Sequence, residues 1–302
     1  MPRKDRIDAF GAAALVAVAA LLALNQVVIK VVNAGLQPVF FAGLRSALAA
    51  LVVYAWLRFR GQTGGVSRQA LPAALGMGLI FSAEFLFLFL ALDNTTVVRS
   101  AIIFYSMPVW LALMAHFGLP GERITPRKAL GLALAFAGTA WAILDRGSAV
   151  AGQASIIGDL GALGAAFGWA GTAYLARGSA MVRERPETQL FWMVLVSGPV
   201  LLALSPLFGP LIRDLQPIHL WGLAFQSVVV VAGGFIAWLW LLSVYPASGV
   251  ASFSFLTPVL SVGFGWLFLG EPMGPGLIGA LGLVAVGIVL INRRPPEKAS
   301  TA

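Results

Sequence analysis

The sequence predicts an all-α membrane protein, ten transmembrane helices arranged as two inverted five-helix repeats. Three observations carry that prediction. First, 59% of the 302 residues are hydrophobic and only 11% charged, with a mean hydropathy of +0.90, far outside the range of soluble domains. Second, the chain contains ten mostly apolar stretches close to the ~20 residues needed to cross a bilayer. Third, it writes one pattern twice, about 150 residues apart: "MPVWLALMAHFGLPGERITPRKALG" begins at Met107 and "TPVLSVGFGWLFLGEPMGPGLIG" at Thr257. Pro108 thereby aligns with Pro258, Glu122 with Glu271, Pro126 with Pro275, and Gly138 with Gly287.

The stretches run over 8–32, 38–57, 71–92, 95–116 and 128–145, then over 156–177, 187–207, 219–244, 248–269 and 274–292. The first follows a basic "MPRKDRIDAF" but is too long for the apolar region of a cleaved signal, so it reads as a retained helix. Arg45 lies in the second stretch and Glu84 in the third, both at membrane depth. The fourth is interrupted by Pro108 and the ninth by Pro258. The fifth and tenth are shorter and Gly-bearing, and are expected at the periphery, bracing each half. The sixth carries a stripe of Gly161, Gly164, Gly168 and Gly171, a small-residue face for close helix packing. The eighth holds no charged or titratable side chain but His219, so it lacks the polar stripe of a water-soluble core helix. No run of ~10-residue alternating segments suggests a membrane barrel. The closing "RRPPEKASTA" reads as a solvated tail.

Charge sets the orientation. With the N-terminus inside, the inner segments hold fifteen basic residues: Arg3, Lys4, Arg6, Arg58, Arg60, Arg68, Arg123, Arg127, Lys128, Arg177, Arg183, Arg185, Arg293, Arg294 and Lys298. The outer loops hold three, Arg99, Arg146 and Arg213, which places both termini in the cytoplasm. The net charge of +8 is therefore topological, and nucleic acid is not an expected partner. The chain has no Cys, and its two His, at 116 and 219, lie near opposite faces, so neither a disulfide nor a metal site is expected. Hydrolase, zinc-protease and phosphate-loop motifs are absent, so no catalytic residue and no cofactor is assigned and the chain does not read as an enzyme.

The doubling extends beyond the opening pair. "LLALNQVVIK" at 21–30 aligns with "FGWAGTAYLAR" at 167–177, matching Asn25 to Thr172, Leu22 to Trp169 and Lys30 to Arg177. The halves divide at 1–147 and 148–302. Each holds an odd number of helices, so the second enters the membrane upside down, with Glu122 cytoplasmic and Glu271 outside. Such halves are related by an axis in the membrane plane, and a substrate site is expected near the midplane between them.

Several residues are candidates for that site. Pro108 removes the helical bond to the Phe104 carbonyl and Pro258 the one to Ser254, giving kinks that serve a cavity, a gate or packing alone. Glu84 and Arg45 lie at similar depth. They can form a structural ion pair, bind the two charges of a zwitterion, or carry a coupling proton. If Glu84 faces inward, helical spacing turns Phe81, Phe85 and Leu88 the same way, with Val231, Phe235 and Trp238 as mirror positions. Asn25 and Gln26 are polar at membrane depth. Tyr105, Trp169, Tyr174 and Phe255 can stack on an aromatic ligand or serve as interfacial belt residues. Lys30 is expected to reach the headgroups.

The stretches "VIKVVNAGLQPVFFAGLRSALAAL", "ALDNTTVVRSAIIFYSMPVW...GERIT" and "GDLGALGAAFGWAGTAYLAR" resemble the drug/metabolite transporter superfamily, EamA type, over about 8–292. The overall pattern is most similar to the aromatic amino acid exporter branch. The resemblance implies a bacterial inner-membrane exporter whose partners are the bilayer and a small-molecule substrate: amino acids, metabolites or toxic organic compounds. A lipid or lipid-linked sugar translocator is the alternative. A channel lacks the expected filter motif.

Overall fold

In the computed structural model the described residues are 7–119, 123–145, 155–245, 253 and 256–292. They form a helical bundle. The helices are α1 Ala9–Val32, α2 Pro38–Phe59, α3 Leu71–Asn94, α4 Val97–Phe104, α5 Met107–Gly118, α6 Pro126–Leu144 and α7 Ile156–Gly178. Then come α8 Pro186–Leu204, α9 Pro217–Ala224, a π-helical segment Phe225–Gly234, α10 Phe235–Val244, α11 Leu256–Leu269 and α12 Pro275–Asn292. α4 with α5 makes one crossing, and α9, the π segment and α10 make another, so ten crossings result. Seven are long and apolar enough to span a bilayer, and α11 and the last helix are shorter apolar ones. The remaining crossing is α7, 23 residues long and diluted by its glycines.

The helix starts follow from local chemistry. Asp8, Thr96, Thr125 and Ser155 each accept a backbone N–H of the first turn. Prolines open α2, α6, α8 and α9, where their missing N–H has no helical acceptor to lose. The outside of the bundle is apolar: Phe59 and Phe117 are 83% and 84% exposed, and Leu51 and Trp221 are similarly open. Many large apolar side chains exposed in this way make the kind of face a bilayer covers. This is a multi-pass membrane protein.

The inverted repeat is visible in the packing. A Cβ built on Gly131 would meet the Gly287 carbonyl at 2.8 Å, and one on Gly138 would meet the Ala280 carbonyl at 2.7 Å. Adding 149 to 131 gives 280, and adding 149 to 138 gives 287, so each contact is the repeat image of the other. Phe81 and Phe85 likewise share one core cluster with Val231 and Phe235, their repeat partners. The fifth and tenth crossings, α6 and α12, therefore brace each other across the axis, not each its own half as expected. The glycine stripe of α7 meets α3, with Gly161 over the Phe87 carbonyl, Gly168 over Glu84 and Gly171 over Ile80.

Three further expectations change. Arg99 is not in a loop; it lies in the first turn of α4, fully buried. Lys30 turns inward and donates to the Thr95 carbonyl at 2.6 Å, away from the headgroups. Pro108 breaks its helix outright: the chain leaves helical order at Tyr105–Ser106, and Pro108 opens the first turn of α5. Pro258 lies in the first turn of α11. Glu122, Arg146, Ser254, Phe255 and both chain ends lie outside the described residues.

Candidate functional site

We call the end assigned to the outside by the charge distribution the outer end. Counting ~1.5 Å per residue from the helix ends there, Asn25, Gln26, Arg45, Ser46, Glu84, Tyr105, Gln226 and Ser261 all lie about 9–15 Å deep. They come from α1, α2, α3, the α4–α5 break, the π segment and α11, so the two halves contribute to one polar layer. The Tyr105 hydroxyl faces Ser261 and Gln26. Gln226 Nε2 donates to the Asn25 carbonyl at 3.0 Å. The Arg45 guanidinium lies 3.8 Å over the Phe85 ring, and its charge and that of Glu84 act on each other.

Most of this layer is unsatisfied. Among the described residues twelve buried side-chain atoms have no hydrogen-bond partner, and eight are here: Asn25 Oδ1, Gln26 Oε1, Arg45 Nε and Nη2, Ser46 Oγ, Glu84 Oε2, Gln226 Oε1 and Ser261 Oγ. Native proteins leave few such groups, because each costs ~1–3 kcal/mol. Arg45 and Glu84 are only 1% and 2% exposed, yet no ion pair joins them. Eight of the twelve thus fall in one stratum, drawn from both halves of the chain.

The other candidates fall elsewhere. Thr172 and Tyr174 lie about 9 and 6 Å from the inner end of α7, and the Tyr174 hydroxyl packs against Gly118. Inversion explains the separation, since repeat partners such as Asn25 and Thr172 must sit at opposite depths. Trp169 is half-buried against the main core, and Phe81 packs below the layer. Trp238 belongs to the cluster of Leu15, Leu241 and Tyr245 near the inner end. Ser46, Gln226 and Ser261 were not foreseen. Gln226 alone left a sequence signal, as a Gln inside a crossing whose one titratable side chain is His219, and its π segment is a form that recurs at functional sites.

Above the layer the outer end is closed by polar contacts. Glu271, 6% exposed, accepts the N–H groups of Val97 and Val98 at 2.8 Å each, capping α4 from the opposite half of the molecule. Burial pushes its carboxyl up, while the Val98 and Val97 N–H groups and Lys30 pull it down. Arg99 grips Asp159 through Nε (3.2 Å) and Nη2 (2.7 Å) and also donates to the Asp145 carbonyl at 2.6 Å. Arg213 holds Asp93 at 2.7 and 2.9 Å, and that contact raises its own pKa. The chain beside Arg213 adds a bridge between Leu36 and Ile212. Two cavities lie toward the inner end. One cavity of about 140 Å³ is lined by Pro108, Arg123, Lys128 and Arg177, and another of about 590 Å³ by Trp56, Glu187, Gly233 and Trp240.

A ten-crossing inverted repeat, with polar contacts between its halves at one end and buried polar groups at membrane depth, is an architecture that suits a membrane transporter. The EamA-like transporter family matches at residues 9–144 and again at 156–293, one match per half, and the chain belongs to that family. The uncharacterized transporter YvbV of Bacillus subtilis (strain 168) is 33% identical over 67% of this chain and 65% of its own length, just under two thirds. The "Probable amino-acid metabolite efflux pump" of Escherichia coli (strain K12) is 29% identical over 96% of this chain and 95% of its own. One crystal structure superposes with a TM-score of 0.64 at 20% identity, covering 93% of this chain and 95% of that one, a likeness of fold alone.

Proposed function

We propose that this protein is a secondary exporter of neutral amino acids, aromatic ones included, and of related small organic metabolites. It works by alternating access across a bacterial inner membrane, with both termini cytoplasmic. The halves are 1–147 and 148–302, and the outer-half polar layer is the substrate site. The observation that carries this reading is the concentration of eight unpartnered polar atoms in that layer. A membrane interior gives such groups no water, so they are stable only beside protein or in a cavity that a polar solute fills. The name of the Escherichia coli relative supports the substrate class.

The cycle follows from the asymmetry between the ends. With the outer contacts made, solute reaches the layer from the inner side. Rocking one half against the other releases Glu271 from α4 and opens the outer side. The break at Tyr105–Ser106 and the π segment are where the crossings bend, because both lack regular α-helical bonding. Counterflow with the purified full-length protein in proteoliposomes tests the proposal. Labelled phenylalanine should accumulate transiently against a trans pool, saturably. Linear, unsaturable flux would indicate a channel. Exchange of lipid with no effect of any amino acid would indicate the translocator.

A further inference from the structure

We propose that Arg45 and Glu84 form a head-group clamp for a zwitterion, with Arg45 taking the carboxylate of an α-amino acid and Glu84 its ammonium. This rests on reading the polar layer as the substrate site. The argument is an inventory of donors and acceptors. The unpartnered atoms of Arg45 are Nε and Nη2, the two donors that share one edge of the guanidinium. That edge matches a carboxylate bidentately. The same protein shows the geometry, since Arg99 holds Asp159 by its own Nε and Nη2. In Arg45 the guanidinium face is held against Phe85 at 3.8 Å while the edge is left to a ligand.

The rest of the inventory is rich in acceptors. Glu84 Oε2, Asn25 Oδ1, Gln26 Oε1 and Gln226 Oε1 have no donor, and an ammonium group brings three. Gln226 is oriented by its bond from Nε2 to the Asn25 carbonyl, which commits its oxygen to the acceptor role. One fork of donors beside a surplus of acceptors is the complement of a carboxylate and an ammonium on adjacent carbons. With Glu84 ionised against the incoming ammonium, Arg45 and Glu84 cancel and a zwitterion adds no charge, so no buried charge is left unmatched. The substrate side chain should then be uncharged.

The test uses the wild-type protein first. In proteoliposome counterflow of labelled phenylalanine, unlabelled phenylalanine should compete about 10–100-fold better than 3-phenylpropionate, which lacks the ammonium, or phenethylamine, which lacks the carboxylate. Glu84→Gln should bring phenylalanine down to the level of 3-phenylpropionate. Arg45→Gln should bring it down to the level of phenethylamine. Equal competition by all three in the wild type overturns the clamp without any variant having to fold. So does Glu84→Gln that keeps the full preference for the zwitterion but loses pH-driven transport, which would make Glu84 a proton carrier. If phenylalanine is not exchanged while another neutral organic solute is, the amino-acid reading of the site falls, and the clamp with it.

Discussion

Removing the Glu271 carboxylate should unlatch the outer end. Two N–H···O contacts of 2.8 Å join it to the first turn of α4, from the loop between α11 and α12. A helix-capping acceptor is worth ~1–2 kcal/mol and a carboxylate at a helix N-terminus adds up to ~2 kcal/mol. The cost of holding a buried carboxylate offsets part of this, leaving ~2–3 kcal/mol in favour of closure. Glu271→Ala should therefore shift the balance toward an open outer end by about 30–150-fold. The chain has no cysteine, so Val98→Cys provides a single buried probe in the capped turn. A membrane-impermeant maleimide added outside should label it faster by about that factor in the Glu271→Ala background. Gly265→Ala should act likewise with the carboxylate retained, because its Cβ would fall 2.9 Å from Glu271 Oε2. Unchanged labelling in both backgrounds would refute the latch.

Other perturbations separate packing from mechanism. Asp159→Asn leaves the Arg99 guanidinium, 0% exposed, without its counter-ion and should lower stability in a denaturation series by ~3–5 kcal/mol. Adding Arg99→Met should recover most of that loss, and failure to recover it would mean the pair does not carry the stability. Gly168→Leu sets a side chain where Glu84 Cα lies 2.8 Å away, so α3 and α7 must separate and counterflow should fall sharply; near-normal rates would show that this approach is not needed. Pro108→Ala should let α4 and α5 join through a bond to the Phe104 carbonyl, slowing exchange more than it alters thermal stability. A normal exchange rate would reduce the break to a packing feature.

The bundle was legible because a bilayer admits few alternatives, and the repeat because Pro108, Glu122 and Gly138 recur in order as Pro258, Glu271 and Gly287. Counting along a helix gives depth, and by that count Arg45 and Glu84 belong to one layer. What counting cannot give is direction around the helix. That is why Tyr174 and Trp238, plausible ligand-stacking residues by type, are found toward the inner end, and why Lys30 turns in to Thr95 instead of out to the headgroups. Serines such as Ser46 and Ser261 send no signal from sequence, since a membrane helix tolerates a hydroxyl bonded to its own backbone; only the absence of that bond makes them notable. The π segment was equally hidden, because "FQSVVVVAGG" has nothing a regular helix would refuse.

The central claim is that the polar layer binds an amino acid and opens to one side at a time. Ser261→Cys tests it most directly, as a near-isosteric thiol in the layer of a protein that has no other. In right-side-out and inside-out vesicles, an impermeant thiol reagent should react with it from one side or the other. Phenylalanine should slow both reactions and change their ratio. Equal, simultaneous access from both sides, or labelling indifferent to phenylalanine at concentrations that drive counterflow, would contradict the account.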